Sequence, residues 1–271
     1  VRSLYPSIIL ANRLTPSNDR LGVFVRLLGD LRSFRLAAKD AMRTAEPAQK
    51  DNLDALQGSF KILINSFYGY TAFAQGTFND FGMASEITRR GREILSRMRD
   101  FLLESGATIV EMDTDGIYFT PPPGVTDMDA MRERVQAILP EGIEIELDAS
   151  YKAMFCYKSK NYALLGWDDR IALTGAALKS RGLEPFQRRY MREHIELLLT
   201  DREAETDALY ERYVDDIEQH RLPMKDFAKR EILSTSPAVY AEKLRNGETK
   251  RSAAYDLVLN AKREYSQGDV V

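Results

Sequence analysis

Ala107-Thr-Ile-Val-Glu-Met112 and Ile117-Tyr-Phe-Thr120 flank the tetrad Asp113-Thr-Asp-Gly116. The flanks are apolar and β-prone, and the tetrad is made of turn residues, so the stretch predicts two short strands joined as a hairpin. Residues two apart in an extended segment project to one side, which lets Asp113 and Asp115 face a single point. Carboxylates brought that close repel unless a cation lies between them, and hard oxygen ligands select Mg²⁺ or Mn²⁺. Asp-Thr-Asp-Gly is equally an ordinary turn sequence. Alone, the tetrad leaves both readings open.

Upstream of this hairpin the apolar spacing is helical. Phe24, Leu27, Leu28, Leu31 and Phe34 predict a helix over about 20–43, and Leu53, Leu56, Phe60, Ile64 and Phe67 a second over about 51–68, stopped by Gly69. Their short connector implies an antiparallel pair. The stretch 72–82 reads as loop, and a third helix over about 84–104 buries Ile87, Gly91, Ile94, Met98 and Leu102. The first nine residues read as a strand entering a turn at Pro6. Downstream, Asp127 caps a short helix to about 139, and strands follow at 143–147, 153–157, 162–165 and 170–174. From Pro185 the chain reads as helical and charged, including 188–200 and 203–220. The expected fold class is α+β: a helical hairpin, a mixed body, then a helical lobe, with no internal repeat.

With 271 residues, 44% apolar and 29% charged, the composition is that of a globular chain long enough for two or three lobes. No apolar run approaches the ~20 residues of a membrane span. The single cysteine, Cys156, excludes a disulfide scaffold and a thiolate zinc cluster; it suits a reducing compartment and a place in the core. Only His194 and His220 are available for imidazole chemistry, so catalysis must fall to carboxylates. His194, on a charged helix, is expected at the surface, and Trp167 in the core at a strand end. The opening Val1-Arg-Ser-Leu-Tyr-Pro is neither a secretory signal nor an initiator sequence, and reads as the start of a fragment.

The net charge of -3 argues against a generic polyanion binder, but it hides local structure. Between Arg26 and Lys50 the cations Arg26, Arg32, Arg35, Lys39, Arg43 and Lys50 outnumber Asp30, Asp40 and Glu46, as a phosphate groove requires. Arg35 and Lys39 share one helix face, and Lys61, Asn65 and Tyr68 share another. In an antiparallel pair both stripes can point into one cleft and hold a triphosphate, although solvated basic faces look the same in sequence. Lys158-Ser-Lys-Asn-Tyr162 mixes cations with an aromatic ring, the composition of a nucleic-acid contact. Lysines at strand ends also serve solubility alone.

The order of these signals narrows the choice. Ser3-Leu-Tyr-Pro-Ser-Ile-Ile9, Lys61-xxx-Asn65-Ser-x-Tyr-Gly69, Asp113-Thr-Asp115 and Lys160-Asn-Tyr162 resemble motifs A, B and C and the duplex-binding segment of family B DNA polymerases. Arg35-xxx-Lys39, Ile87-Thr-xx-Gly-Arg92, Lys179-xx-Gly-Leu-Glu184 with Arg188-Arg189, and Gln267-Gly-Asp-Val270 also resemble that family, so the likeness covers nearly the whole chain. It implies an antiparallel-sheet palm (1–19 and 71–184), a helical-hairpin fingers subdomain (20–70) and a mostly helical thumb (185–271). The implied activity is template-directed transfer of deoxynucleotides to a primer 3′-hydroxyl by a two-metal mechanism, with two Mg²⁺ ions or Mn²⁺ as cofactor.

By the same resemblance, Asp113 and Asp115 are metal ligands and Glu146 an accessory carboxylate. Ser3, Leu4, Tyr5, Arg35, Lys39, Lys61, Asn65 and Tyr68 bind nucleotide, with Tyr5 under the sugar and Lys61 also protonating pyrophosphate. Lys158, Lys160 and Tyr162 hold the primer–template duplex. The implied partners are primer–template DNA, deoxynucleoside triphosphates and the parent chain's amino-terminal and exonuclease domains, with no membrane; the implied location is cytoplasm or nucleoid if the source is prokaryotic or viral. Departures matter too. The family's motif A aspartate falls one residue before Val1, so the fragment is expected not to polymerise. Glu111 stands where an aromatic is usual, Gly116 where Ser is usual, and Ser159 and Asn161 replace a Lys and an Arg. The competing reading is an inactive, polymerase-like DNA-binding scaffold; a reverse transcriptase or RNA polymerase fits Tyr5 as a sugar gate less well.

Overall fold

Pro6 lies in the first turn of a helix instead of in a loop turn. In the computed structural model, which describes residues 1–179 and 182–271, helix α1 spans Leu4–Ala11, correcting the expected opening strand. Pro6 is its third residue, within the first turn, where a backbone N–H has no intrahelical acceptor and its loss costs nothing. Leu4, Ile8 and Ile9 are buried, which anchors the helix. Ser3 precedes it in the left-handed region at φ 44°.

The chain divides into two compact units, Val1–Ala149 and Ser150–Val271. In the first, helices α2 (Val23–Ala41) and α3 (Pro47–Thr71) form the expected antiparallel pair, with Phe24 against Phe67 at 4.8 Å and Phe34 against Phe60 at 6.0 Å. Helix α3 is longer than predicted: Pro47 suits its first position, and Gly69 lies inside it instead of ending it. Leu27, Phe34 and Leu56, members of the two apolar stripes, are exposed, because the stripe is wider than the contact between two helices. Asp19 closes the start of α2 by accepting from Val23 N at 3.1 Å and Phe24 N at 2.8 Å. Those backbone donors hold its carboxyl below the usual carboxylate range.

Helix α4 (Phe81–Glu104) buries Ile87, Gly91, Ile94, Met98 and Leu102, as its spacing predicts. Its cap, Asp80, accepts from Met83 N and from Ser17 N, both at 2.8 Å. Strands β1 (Thr108–Met112) and β2 (Ile117–Thr120) pair antiparallel, with the register slipping between Ile109 and Glu111 so that Val110 is an extra, bulged residue. Helix α5 (Met128–Ala137) follows its Asp127 cap. The strand expected at 143–147 does not form. The Gln136 side chain donates to Ile143 O at 2.8 Å and accepts from Ile145 N at 3.0 Å, so an amide from α5 takes the backbone groups that a ladder would have used.

In the second unit, β3 (Ala153–Lys158), β4 (Asn161–Leu165) and β5 (Ile171–Thr174) make an antiparallel sheet in sequence order. Helix α6 (Pro185–Leu199) covers it, packing Ile195 and Leu199 with Ala163, Leu165 and Leu178. Trp167 is 66% exposed, not core: it sits in the tight turn closed by Gly166 N to Arg170 O, beyond the sheet's covered face. Cys156 and His194 are half-buried, and among the described residues no partner reaches His194 Nδ1. A 3-10 turn at Glu203–Glu205 leads into α7 (Thr206–Glu218), where one helix had been expected, and Tyr213 of α7 donates to Glu193 at 2.8 Å. Helices α8 (Pro237–Arg245) and α9 (Ala253–Asn260) stack Tyr240 on Tyr255 at 4.0 Å. The chain end closes this cluster: Val270 bridges Ile232, and Gln267 Nε2 donates to Ser234 O at 3.0 Å. Among the described residues no helix is long and apolar enough to cross a membrane. In the expected junction Lys179-xx-Gly-Leu-Glu184, the two residues between Lys179 and Gly182 lie outside the described residues.

Candidate active site

The tetrad 113–116 is the turn of the β1–β2 hairpin, closed by Asp113 N to Gly116 O at 3.0 Å. Asp113 is half-buried and its Oδ1 accepts from Thr114 N at 2.6 Å and Thr114 Oγ1 at 3.1 Å, so part of its role is to hold the turn. Asp115 is exposed, and its carbonyl accepts from the Val1 α-ammonium at 2.5 Å. The bulge at Val110 lies three residues upstream, where an extra residue re-aims the side chains that follow.

Val1 and Arg2 run beside the acidic segment 144–148. Arg2 N donates to Glu144 O at 2.8 Å, and Arg2 Nε donates to Glu146 Oε2 at 2.8 Å. Glu144 also meets Arg32 of α2 at 3.9 Å. The Arg2 hydrogen bond, with the fields of Lys39 and the α-ammonium, holds the Glu146 carboxyl below its ordinary range. Burial pulls the Val1 α-amino group down, opposed by the charges of Asp115, Glu146 and Asp148. These three carboxylates therefore share the surroundings of Val1.

As a divalent-cation site the donor set fits in part. Asp113 and Asp115 offer hard oxygens two residues apart, suited to Mg²⁺. Among the described residues no group of three His, Cys, Asp or Glu side chains is placed to hold a metal ion, and Glu146 is engaged by Arg2.

On the facing helices, Tyr5 of α1 packs against Tyr68 of α3 with ring centroids 4.4 Å apart and a 45° tilt. Gly91 of α4 makes room for this pair: a Cβ there would lie 3.1 Å from Tyr5 Cε1 and 3.4 Å from Leu4 Cδ2. Ser3, Leu4 and Tyr5 lie at the start of α1, whose first-turn N–H groups point out of the helix ladder. Arg35 is half-buried, and no acceptor among the described residues reaches its enclosed Nε. Lys39, Lys61 and Asn65 are exposed, Lys39 one turn beyond Arg35 on α2 and Asn65 one turn beyond Lys61 on α3.

In the second unit, Lys158, Lys160 and Tyr162 lie on the β3–β4 hairpin. Lys158 and Lys160 are exposed, whereas Tyr162 is buried opposite Cys156. Lys160 sits in the turn at φ 60°, and Lys158 Nζ lies 5.4 Å from the Tyr157 ring centroid.

The family model described as DNA polymerase family B matches residues 12–264. This chain belongs to that family. It is 30% identical to DNA polymerase 1 of Pyrococcus abyssi over 207 residues, covering 66% of this chain and 27% of that protein. The DNA polymerase of Thermococcus gorgonarius is likewise 30% identical over 210 residues, covering 66% and 27%. The fold is that of the family B DNA polymerase structure from Pyrobaculum calidifontis, with a TM-score of 0.69 at 20% identity over 99% of this chain and 38% of that one. The chain thus spans about a quarter to two fifths of its relatives' length.

Several residues of this family B chain that shape the site escaped sequence reading. Arg2 was unremarked although it holds Glu144 and Glu146. Asn161 was noted only as a departure, yet both ends of its side chain are bonded. Gly91 was assigned to the core but not to the Tyr5 contact. The only local signal was the glycine itself, within an otherwise periodic helix.

Proposed function

We propose that this chain is the nucleotidyl-transfer core of a family B DNA polymerase, joining deoxynucleotides to a primer 3′-hydroxyl on a DNA template. The observation that carries the reading is the meeting of Val1, at the head of the motif A-like segment, with the Asp113–Asp115 turn, in a chain matched to the family over residues 12–264. Lys39, Lys61 and the orphaned Nε of Arg35 provide cations and a donor for an incoming triphosphate, and the first-turn N–H groups of α1 offer further donors. Asn65 lines that cleft, and Lys61 supplies the proton to the departing pyrophosphate. The Tyr5 ring, backed by Gly91, forms the floor under the sugar; Tyr68 packs beside the nascent base pair. Asp113 and Asp115 would hold Mg²⁺, whose charge would offset that of the triphosphate and make the primer hydroxyl more acidic. Lys158 and Lys160 grip the duplex, and the buried Tyr162 supports the hairpin that carries them.

An aspartate joined to the Val1 nitrogen would stand beside Asp115, where the α-ammonium now donates. With that third carboxylate the acidic group suits a second ion; without it, we expect no polymerisation. The protein's partners are then primer–template, deoxynucleoside triphosphates and the further domains of a longer polymerase chain. The test is Lys61→Ala in a form extended upstream with that aspartate. We expect a KM for deoxynucleotide raised at least about tenfold, the scale of one lost charge-assisted contact, and an unchanged Kd for duplex. Equal loss of both sinks the assignment of Lys61.

A further inference from the structure

We infer that Asn161 is a positioning residue for Lys160, clamping the β3–β4 turn onto the turn after β5 so that Lys160 is presented to a backbone phosphate of a nucleic-acid duplex. The inference rests on the proposed function.

Lys160 holds a left-handed backbone at φ 60°, a conformation that a side-chain-bearing residue keeps only when its surroundings enforce it. The enforcement is visible on two sides. Asn161 Nδ2 donates to Ser159 O at 3.0 Å, closing the turn locally. Its Oδ1 accepts from Ala177 N at 2.9 Å, tying the same turn to a segment sixteen residues away. Between them stands Gly175 at φ 96°, where a Cβ would lie 2.1 Å from Lys160 O and 2.4 Å from Asn161 Oδ1. Two backbones touch there, and only glycine allows it. The turn continues through Lys179 N to Gly175 O at 3.0 Å.

The Lys160 side chain itself is exposed on this fixed backbone. Fixing the backbone in advance lowers the ordering cost of a phosphate contact, which is what a flexible lysine at a strand end lacks. Asn161 carries no charge, so its contribution to binding runs through geometry alone.

The experiment measures binding of the 271-residue chain to a primer–template duplex, by anisotropy, across about 50–200 mM salt. One lost phosphate contact lowers the slope of log K against log salt by about 0.9, or about eightfold in affinity at 0.1 M. Lys160→Ala is expected to show both changes. Asn161→Ala should show them too although it removes no charge, and the double variant should be no weaker than Lys160→Ala. Gly175→Ala, which pries the same turns apart from the other side, should repeat the result and serves if Asn161→Ala does not fold, as judged by melting. Full affinity and slope in Lys160→Ala would overturn the duplex-binding assignment and the inference with it. Loss in Lys160→Ala but an unchanged slope in folded Asn161→Ala, or additive losses in the double variant, would overturn the positioning role alone.

Discussion

Tyr5 shows how little freedom a site residue has here. Its ring lies between Tyr68, at 4.4 Å, and the space that a Cβ on residue 91 would fill. Gly91→Ala must move the ring by a few tenths of an ångström away from α4, against Tyr68. In the upstream-extended form we expect kcat/KM for deoxynucleotides to fall about tenfold, since small misplacements at a reacting centre are costly, with duplex affinity unchanged. Single-nucleotide incorporation kinetics check this. Arg35 carries the opposite sign in its two roles. Its enclosed Nε has no acceptor among the described residues, a cost of about 1 kcal/mol that a bound triphosphate would relieve. Arg35→Met is expected to raise the melting temperature while weakening nucleotide use. Undiminished nucleotide use in Arg35→Met denies Arg35 the nucleotide role, and an unraised melting temperature denies the cost of its enclosed Nε.

At the scale of elements, α4 organises the first unit through its ends and its ion pairs. Asp80 caps it and also catches Ser17 N. Glu86 accepts from Arg89 Nε at 2.7 Å and Arg90 Nε at 2.6 Å, and Arg90 also reaches Asn12 just beyond α1. The two guanidinium groups, Arg89 first, hold the Glu86 carboxyl down at about 2 against an ordinary 4.5. A depressed carboxyl contributes stability that is fully present above the ordinary value and is lost as pH falls through the folded one. The melting temperature should therefore drop between about 4.5 and about 2, and Glu86→Gln should flatten that limb by lowering the neutral-pH melting temperature slightly while leaving the acid end nearly unchanged. The elements also differ in how legible they were. Helices α2, α3 and α4 declare themselves because long apolar stripes repeat over several turns. Helix α1 does not: Pro6 reads as a turn unless its place in the first turn is known. Ile143, Ile145 and Leu147 alternate like a strand, but the alternation says nothing of Gln136, whose side chain takes the neighbouring backbone groups.

For the whole molecule, the order of motifs carried more than any one of them. Asp113-Thr-Asp115 alone is a turn, and in the structure Asp113 does hold the turn. Its position after the Lys61–Gly69 helix and before the Lys158–Tyr162 hairpin is what pointed to the family, and the match over residues 12–264 bears that out. What stayed hidden were the contacts between residues far apart in sequence: Arg2 with Glu146, Tyr5 with Tyr68, Asn161 with Ala177. No periodicity reports such pairs, because each depends on two elements meeting in space. The central claim is that this chain is a polymerase core whose acidic site needs one more carboxylate beside Asp115. Mg²⁺-dependent primer extension tests it, comparing the 271-residue chain with a form carrying the upstream residues through an aspartate joined to Val1, and with Asp115→Asn in that form. We predict extension by the longer form only, abolished by Asp115→Asn. Extension by the chain as it stands, or none by either form while duplex is still bound, would contradict the account, the latter outcome in favour of a DNA-binding scaffold.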